Sequence, residues 1–198
     1  QWNVLRERGY SWWMRRISHN LKLFDMVRID HFRGLVAYWE IPATEKTAVK
    51  GTWVPVPAED FFNRVVEQFP DAPIIAEDLG TITPDVRELM ERYGFPGMKV
   101  LLFAFGDNLA TNPYVPHNHV KDCVIYTGTH DNNTVRGWFD NEATADDKER
   151  LFTYLGRKVS AEDIHWELIR LGMMSVADMA VFPMQDILGL GEAHRMNL

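Results

Sequence analysis

Met26-Val27-Arg28-Ile29-Asp30 is a short apolar run that ends in a carboxylate. The same event recurs at Ile74-Ile75-Ala76-Glu77-Asp78 and at Val124-Ile125-Tyr126-Thr127-Gly128-Thr129-His130-Asp131. Short apolar runs bounded by turn-forming residues read as buried strands. A charge beside a buried strand is costly to desolvate unless it is paired or used. A single such acid is ordinarily a helix cap, a turn residue or half of a structural ion pair. Three at strand ends, one with Arg28 two positions earlier and one preceded by His130, point instead to a shared chemical task.

Working outward, strands are expected at residues 26–29, 74–76, 99–105, 124–126 and 179–182, five in all, with helical patterns between them. That alternation is the mark of an α/β fold with a parallel sheet. Phe61, Phe62, Val65, Val66 and Phe69 recur at helical spacing. Thr83-Pro84-Asp85 supplies an N-cap, a proline at the first helical position and an early acid, and Gly94 stands where that helix would end. Thr144 with Asp147, and Ser160 with Asp163 ahead of Ile164, resemble capping boxes. Residues 38–57 hold Pro42, Gly51, Pro55 and Pro57 together with Trp39 and Trp53, and read as a long loop excursion after the first strand. Loops leaving the carboxyl ends of barrel strands build active sites.

With 46% hydrophobic and 12% aromatic residues, the 198-residue chain can bury a substantial core, and one compact unit is expected. Its 28 acidic against 21 scattered basic side chains argue against nucleic acid as a partner. No apolar run approaches the roughly 20 residues that span a bilayer, so no membrane association is expected. Cys123 has no second cysteine to pair with, which suits a reducing, cytoplasmic setting, and it reads as an inert small apolar residue. Gln1-Trp2-Asn3 shows neither an initiator methionine nor a signal pattern, so the chain is expected to begin inside a longer protein. An eight-stranded α/β barrel needs about 250 residues, so barrel strands in this chain would form an incomplete set.

Alternate side chains share a strand face, so Arg28 and Asp30 should point the same way. The guanidinium then favours the ionised form of Asp30. Glu77 follows Ile-Ile-Ala with no adjacent cation, an arrangement suited to a carboxyl that holds and releases a proton. Two carboxyls in such different settings fit retaining glycoside chemistry, in which one attacks the anomeric carbon and the other protonates the leaving oxygen. The side chains of Asp30, Glu77 and Asp131 are expected to converge on one glucose-sized space.

At these residues the chain resembles the α-amylase superfamily, whose usual marks are Arg-x-Asp, Glu and His-Asp at the ends of barrel strands four, five and seven. Arg28-Ile-Asp-His-Phe-Arg-Gly34, Trp39-Glu-Ile-Pro42 with Glu45-Lys-Thr47, and Met184-Gln-Asp-Ile-Leu-Gly-Leu-Gly191 are similar to motifs of one branch, the amylomaltases of glycoside hydrolase family 77. The resemblance covers almost the entire chain. It implies a partial TIM (β/α)8 barrel covering strands 4 to 8 with their helices, residues 1–198 being the carboxyl-terminal part of one catalytic barrel whose first three strands lie outside this chain. It also implies 4-α-glucanotransferase activity on malto-oligosaccharides or other α-1,4-glucans, with Asp30 as nucleophile, Glu77 as acid and base, and Asp131 as transition-state stabiliser. Arg28 would orient Asp30, and His130 would bond the same sugar. Asp107 is implied as a sugar-hydroxyl ligand and Phe103 as a flank of the glucan, each competing with a turn acid and a core aromatic. His31 stands between an active-site contact and a packed histidine. Trp39 and Trp53 are candidate glucan platforms, Asn197 a candidate acceptor-side residue, and at least one of Trp12 and Trp13 is expected in a core. No metal and no organic cofactor is called for.

Three other readings stand beside this one. A hydrolase of the same superfamily would pass the glucosyl group to water. A metal-dependent barrel would use strand-end acids to hold Mg²⁺, which Arg28 beside Asp30 opposes. A non-enzymatic reading makes the chain a glucan-binding or structural fragment. On the catalytic reading itself, the chain alone is expected to be inactive or poorly active unless the missing strands, or a second copy, complete the barrel.

Overall fold

Strands and helices alternate in an α/β arrangement, described by the computed structural model over residues 1–197. Internal contacts divide the chain into two units, residues 1–97 and the residues from Met98 onward. Among the described residues no helix is long and apolar enough to cross a membrane.

The first unit contains α1 (Trp2–Glu7), α2 (Ser11–Leu23), β1 (Val27–Ile29), β2 (Ala37–Glu40), β3 (Thr52–Pro55), α3 (Ala58–Gln68), β4 (Ile74–Ala76) and α4 (Pro84–Tyr93). Strands β1 and β4 pair in parallel, with Val27 opposite Ile74 and Ile29 opposite Ala76. Helix α3 buries Ala58, Phe61, Phe62 and Val65, the one-sided spacing its sequence predicts, and carries Glu59 and Asp60 in its first turn, where the helix dipole favours acids. Helix α4 opens at Pro84 behind Thr83 and closes at Gly94, whose φ of 66° is a left-handed value that glycine adopts without a Cβ penalty.

Phe32, Phe61 and Phe62 are fully buried at the centre of this unit. Phe62 lies 5.3 Å from Phe32, 4.9 Å from Phe61 and 5.4 Å from Phe95, ring centre to ring centre. Each such side chain contributes about 1.5–3 kcal/mol by leaving water. Phe32 follows β1 by three residues, so its burial ties the loop beyond that strand to the core.

The second unit contains all but the first residue of β5 (Gly97–Val100), with β6 (Cys123–Tyr126), α5 (Val135–Gly137), α6 (Ala145–Leu155), α7 (Ile164–Met173), β7 (Met179–Val181) and α8 (Met184–Ile187). Its sheet runs β5-β6-β7, with β6 and β7 parallel and Ile125 opposite Ala180. Ile125, Leu151, Ile164 and Leu168 are fully buried. Cys123 is buried, as a small apolar residue would be, and its thiol donates to the Val120 carbonyl.

Three expectations need correction. Seven strands, not five, occur among the described residues, because the excursion at 38–57 contains the antiparallel pair β2–β3. Pro42 and Gly51 fall in the connection, and Pro55, which has no N–H to give the ladder, ends β3 opposite Ala37. The strand expected at 99–105 stops at Val100, and Leu101–Phe103 roll into a 3₁₀ turn closed by the Ala104 N–H on the Leu101 carbonyl. Continuous apolar runs do not reveal that change, since the turn buries adjacent Leu101 and Leu102 as a two-sided strand would. Finally, Thr144 and Asp147 form a reciprocal capping box at α6, but Ser160 does not do so at α7. The Ser160 hydroxyl donates to the Asp163 carboxylate, and Asp163 itself precedes the helix as its cap residue.

Candidate active site

Parallel register decides where the first two acids go. Ile29 and Ala76 are neighbours across β1 and β4, so Asp30 and Glu77 leave the same end of adjacent strands. The Glu77 N–H donates to the Ile29 carbonyl at 3.0 Å, and the Phe32 N–H donates to the Glu77 carbonyl at 3.2 Å. The Glu77 carboxylate is equally engaged: the Leu79 N–H donates to Oε1 and the His31 N–H to Oε2, both at 2.8 Å. In the sequence Glu77 follows Ile-Ile-Ala with no neighbouring cation to hold it. Main-chain donors, which the residue types do not reveal, hold it instead.

Asp30 is held by a side chain. Arg28 Nη2 lies 2.9 Å from Asp30 Oδ1, as their shared strand face predicts. The Asp30 side chain is 66% exposed, so the ion pair orients it more than it stabilises the fold. His31 takes a left-handed φ of 48°, uncommon for a side chain with a Cβ. It packs over Gly34, where an added Cβ would stand 2.9 Å from the His31 ring.

The paired strands β2 and β3 set Trp39 opposite Trp53, with ring centres 5.4 Å apart and both side chains partly open to solvent. Trp39 Nε1 donates to the Ala48 carbonyl. The Arg33 guanidinium lies 4.1 Å from the centre of the Trp53 ring and donates to the Thr81 carbonyl and the Thr83 hydroxyl. Arg33 therefore joins the tryptophan pair to the loop that follows Glu77. On α2, Trp13 packs edge-on against buried Phe61 while Trp12 is exposed beneath Arg16.

In the second unit, His130 and Asp131 lie on the loop between β6 and α5. The exposed Asp131 carboxylate has His130 Nε2 at 3.3 Å and accepts from Asn197 Nδ2 at 3.3 Å, so three of the candidates meet. Asn132 Oδ1 accepts from both the backbone N–H and the hydroxyl of Thr129 and shapes the turn. Phe103 and Asp107 line an open cleft of about 410 Å³ with Tyr114 and Trp138. Asp107 accepts from Asn112, which also donates to the Phe103 and Ala104 carbonyls.

Arg33 in the first unit, and Asn112 and Asp186 in the second, hold these loops, and no local pattern in the sequence marks them for it. Arg33 and Asp186 stood inside the quoted motifs, yet their partners are about 50 residues away in sequence. Asp186 is 1% exposed and accepts from the Thr127 hydroxyl and the Val135 N–H. Burial pushes its carboxyl above the ordinary value, against the pull of those two bonds and of nearby His165.

The family described as 4-alpha-glucanotransferase, glycoside hydrolase family 77, matches residues 1–198. A 4-alpha-glucanotransferase of Synechocystis is 51% identical over all of this chain and 39% of its own length, and one of Thermus thermophilus is 50% identical over all of this chain and 40% of its own. The structure of an amylomaltase from Streptococcus agalactiae in complex with acarbose superposes over the full chain, and 40% of its own, with a TM-score of 0.93 and 37% identity. The chain spans about 40% of the length of these relatives. By sequence and by fold it belongs to the 4-alpha-glucanotransferase family.

Proposed function

We propose that this chain supplies the carboxyl-terminal catalytic part, strands four to eight of a β/α barrel, of an enzyme that transfers α-1,4-glucan segments between malto-oligosaccharides. The observation that carries the reading is the β1/β4 register with its fixed carboxyls. Neighbouring strands lie about 4.8 Å apart, and Asp30 and Glu77 extend from adjacent positions on such a pair. That spacing suits the roughly 5–5.5 Å separation of a retaining pair.

In this reading the Asp30 carboxylate attacks the anomeric carbon, and the glycosidic C–O bond breaks as Glu77 gives its proton to the departing 4-oxygen. A covalent β-glucosyl ester on Asp30 results. Glu77 then takes the proton from an acceptor 4-hydroxyl, whose oxygen attacks the same carbon and frees Asp30, restoring the α-linkage. Two N–H donors fix the plane of the Glu77 carboxyl, and each oxygen keeps a second lone-pair direction for the transferred proton. Arg28 aims Asp30. Asp131, with His130 beside it, accepts hydrogen bonds from sugar hydroxyls as positive charge develops on the ring. Trp39 and Trp53 offer aromatic faces to the glucan, and Phe103 and Asp107 contribute a further contact in their cleft. His31 serves through its backbone N–H on Glu77. Reduced Cys123 suits a cytoplasmic enzyme.

The test uses the complete polypeptide that contains these residues. Incubated with maltotriose, it should form glucose and longer chains with no net rise in reducing ends. Peptide mapping after trapping with an activated glucosyl donor should locate the adduct on Asp30. A steady rise in reducing ends would assign the enzyme to the hydrolases, and an adduct on any other residue would end the assignment of the nucleophile.

A further inference from the structure

Asp131 has a weak hold of its own: its side chain is 62% exposed and its side-chain partners stand at 3.3 Å. Something else must fix it if it is to meet a substrate repeatedly at one geometry. Thr127 and Val135 bracket the loop that carries His130 and Asp131, and both are fully buried. The Thr127 hydroxyl donates to Asp186 Oδ2 at 2.6 Å and the Val135 N–H donates to Asp186 Oδ1 at 2.8 Å. One carboxylate on α8 thus clamps both ends of the loop. Burying a carboxylate is unfavourable, and an apolar side chain would pack α8 without that cost. Two directional bonds to the two ends of one loop give the acid a use that packing does not.

We propose that Asp186 is a positioning residue for Asp131, acting through the loop between Thr127 and Val135. The inference rests on the reading of Asp131 as a stabiliser of the transition state. Asp186 does not touch substrate; it limits the excursions of a group that does. Displacements near 1 Å at a reacting centre cost about a hundredfold in rate.

The experiment measures kcat and KM for maltotriose disproportionation by the complete polypeptide carrying Asp186→Ala, Asp186→Asn, Thr127→Val, Asp131→Asn or Asp131→Asn with Asp186→Ala. Asp186→Ala should lower kcat about ten- to a hundredfold while KM stays within about twofold. Asp186→Asn keeps an acceptor for the Val135 N–H and can donate to the Thr127 hydroxyl, so it should recover most of the rate. Thr127→Val, losing one bond of the two, should fall between. In the Asp131→Asn background, Asp186→Ala should add no further loss, because a residue that acts through another is silent once that other is gone. A full, independent loss there overturns the positioning role alone. An undiminished kcat in Asp131→Asn overturns the underlying reading of Asp131. Should Asp186→Ala fail to fold, Thr127→Val in the two backgrounds decides by the same comparison.

Discussion

Glu77 and Asp131 both lie beyond the carboxyl ends of parallel strands, yet the two units hold them by different means. Glu77 is the first residue after β4, and all four of its polar positions engage main-chain groups: Ile29 and Phe32 on its backbone, His31 and Leu79 on its carboxylate. Asp131 stands five residues beyond β6 and depends on side chains: His130 and Asn197 at its carboxylate, Asn132 in its turn, and Asp186 at the loop's two ends. Main-chain placement follows from strand register, which substitutions elsewhere in the loop barely alter. Side-chain placement can be undone one residue at a time.

The largest effect expected is at the register-held pair. Asp30→Asn replaces the carboxylate proposed to attack the sugar with an uncharged amide and should reduce transfer by the complete polypeptide to near the detection limit. Glu77→Gln keeps an acceptor for one backbone donor but carries no transferable proton, and should cost about 10²–10⁴-fold in kcat. Melting curves unchanged from the parent would keep these losses chemical. Substantial transfer by Asp30→Asn would break the comparison at its root.

Next comes the core beneath β1 and β4. Phe62 is fully buried against Phe32, Phe61 and Phe95, so Phe62→Ala should destabilise the first unit by about 3–5 kcal/mol in denaturant titration. Because Phe32 also ties down the loop beyond β1, activity should fall at temperatures where the parent is still fully active. A loss below about 1 kcal/mol would mean that the aromatic cluster does not support the register. Smaller again is Arg33→Met, which keeps the apolar stem but loses the guanidinium over Trp53 and its bonds to Thr81 and Thr83. A cation–π contact contributes about 0.5–2 kcal/mol, so KM for long glucans should rise about two- to thirtyfold with kcat less affected. An effect confined to kcat would detach Arg33 from the tryptophan pair.

The contrast between the units also marks what the sequence could convey. Strand-end acids, the α3 face, the Thr144 cap and the Arg28–Asp30 pairing all follow from local spacing, and each is legible in the sequence. The β2–β3 pair was not, because its prolines and glycine masked strands whose partner is another part of the same excursion. Glu77's donors were invisible because every residue owns an N–H and only a fold aims it. Asp186 was hidden for the opposite reason: a buried acid and a surface helix acid are the same letter, and nothing within Met184-Gln-Asp-Ile-Leu tells them apart. Trp12 and Trp13, adjacent in sequence, divide between solvent and core as helical spacing requires.

The smallest predicted effect belongs to the second unit and is read by pH. His119 is buried, with Nε2 at 2.9 Å from the Tyr114 carbonyl and Nδ1 at 2.8 Å from the Ser175 hydroxyl. A carbonyl only accepts, so Nε2 carries the hydrogen and Nδ1 receives the Ser175 hydroxyl, a neutral imidazole with both nitrogens used. Burial holds it below the ordinary histidine value, opposed by the Tyr114 carbonyl and assisted by Lys99 and His117. Between the ordinary value of about 6.5 and the lower folded one, the unfolded chain binds a proton that the folded chain does not. Stability must therefore fall as pH drops through that window and recover as pH rises. Asp186, whose carboxyl burial raises, works with the opposite sign: above the ordinary carboxyl value, rising pH costs stability as it ionises. Asp147 and Glu167 are held low against burial, Asp147 by bonds from Thr144 and Arg150 and Glu167 by Arg170 and Arg157; they lose their contribution only in more acid solution, below about pH 4. The difference between parent and His119→Gln isolates the imidazole, since the other three titrate in both proteins. Denaturant midpoints measured from about pH 7.5 to pH 5 should converge as pH falls, the parent losing stability that His119→Gln keeps. A constant gap between the two curves would show that His119 takes its proton as readily in the fold as outside it.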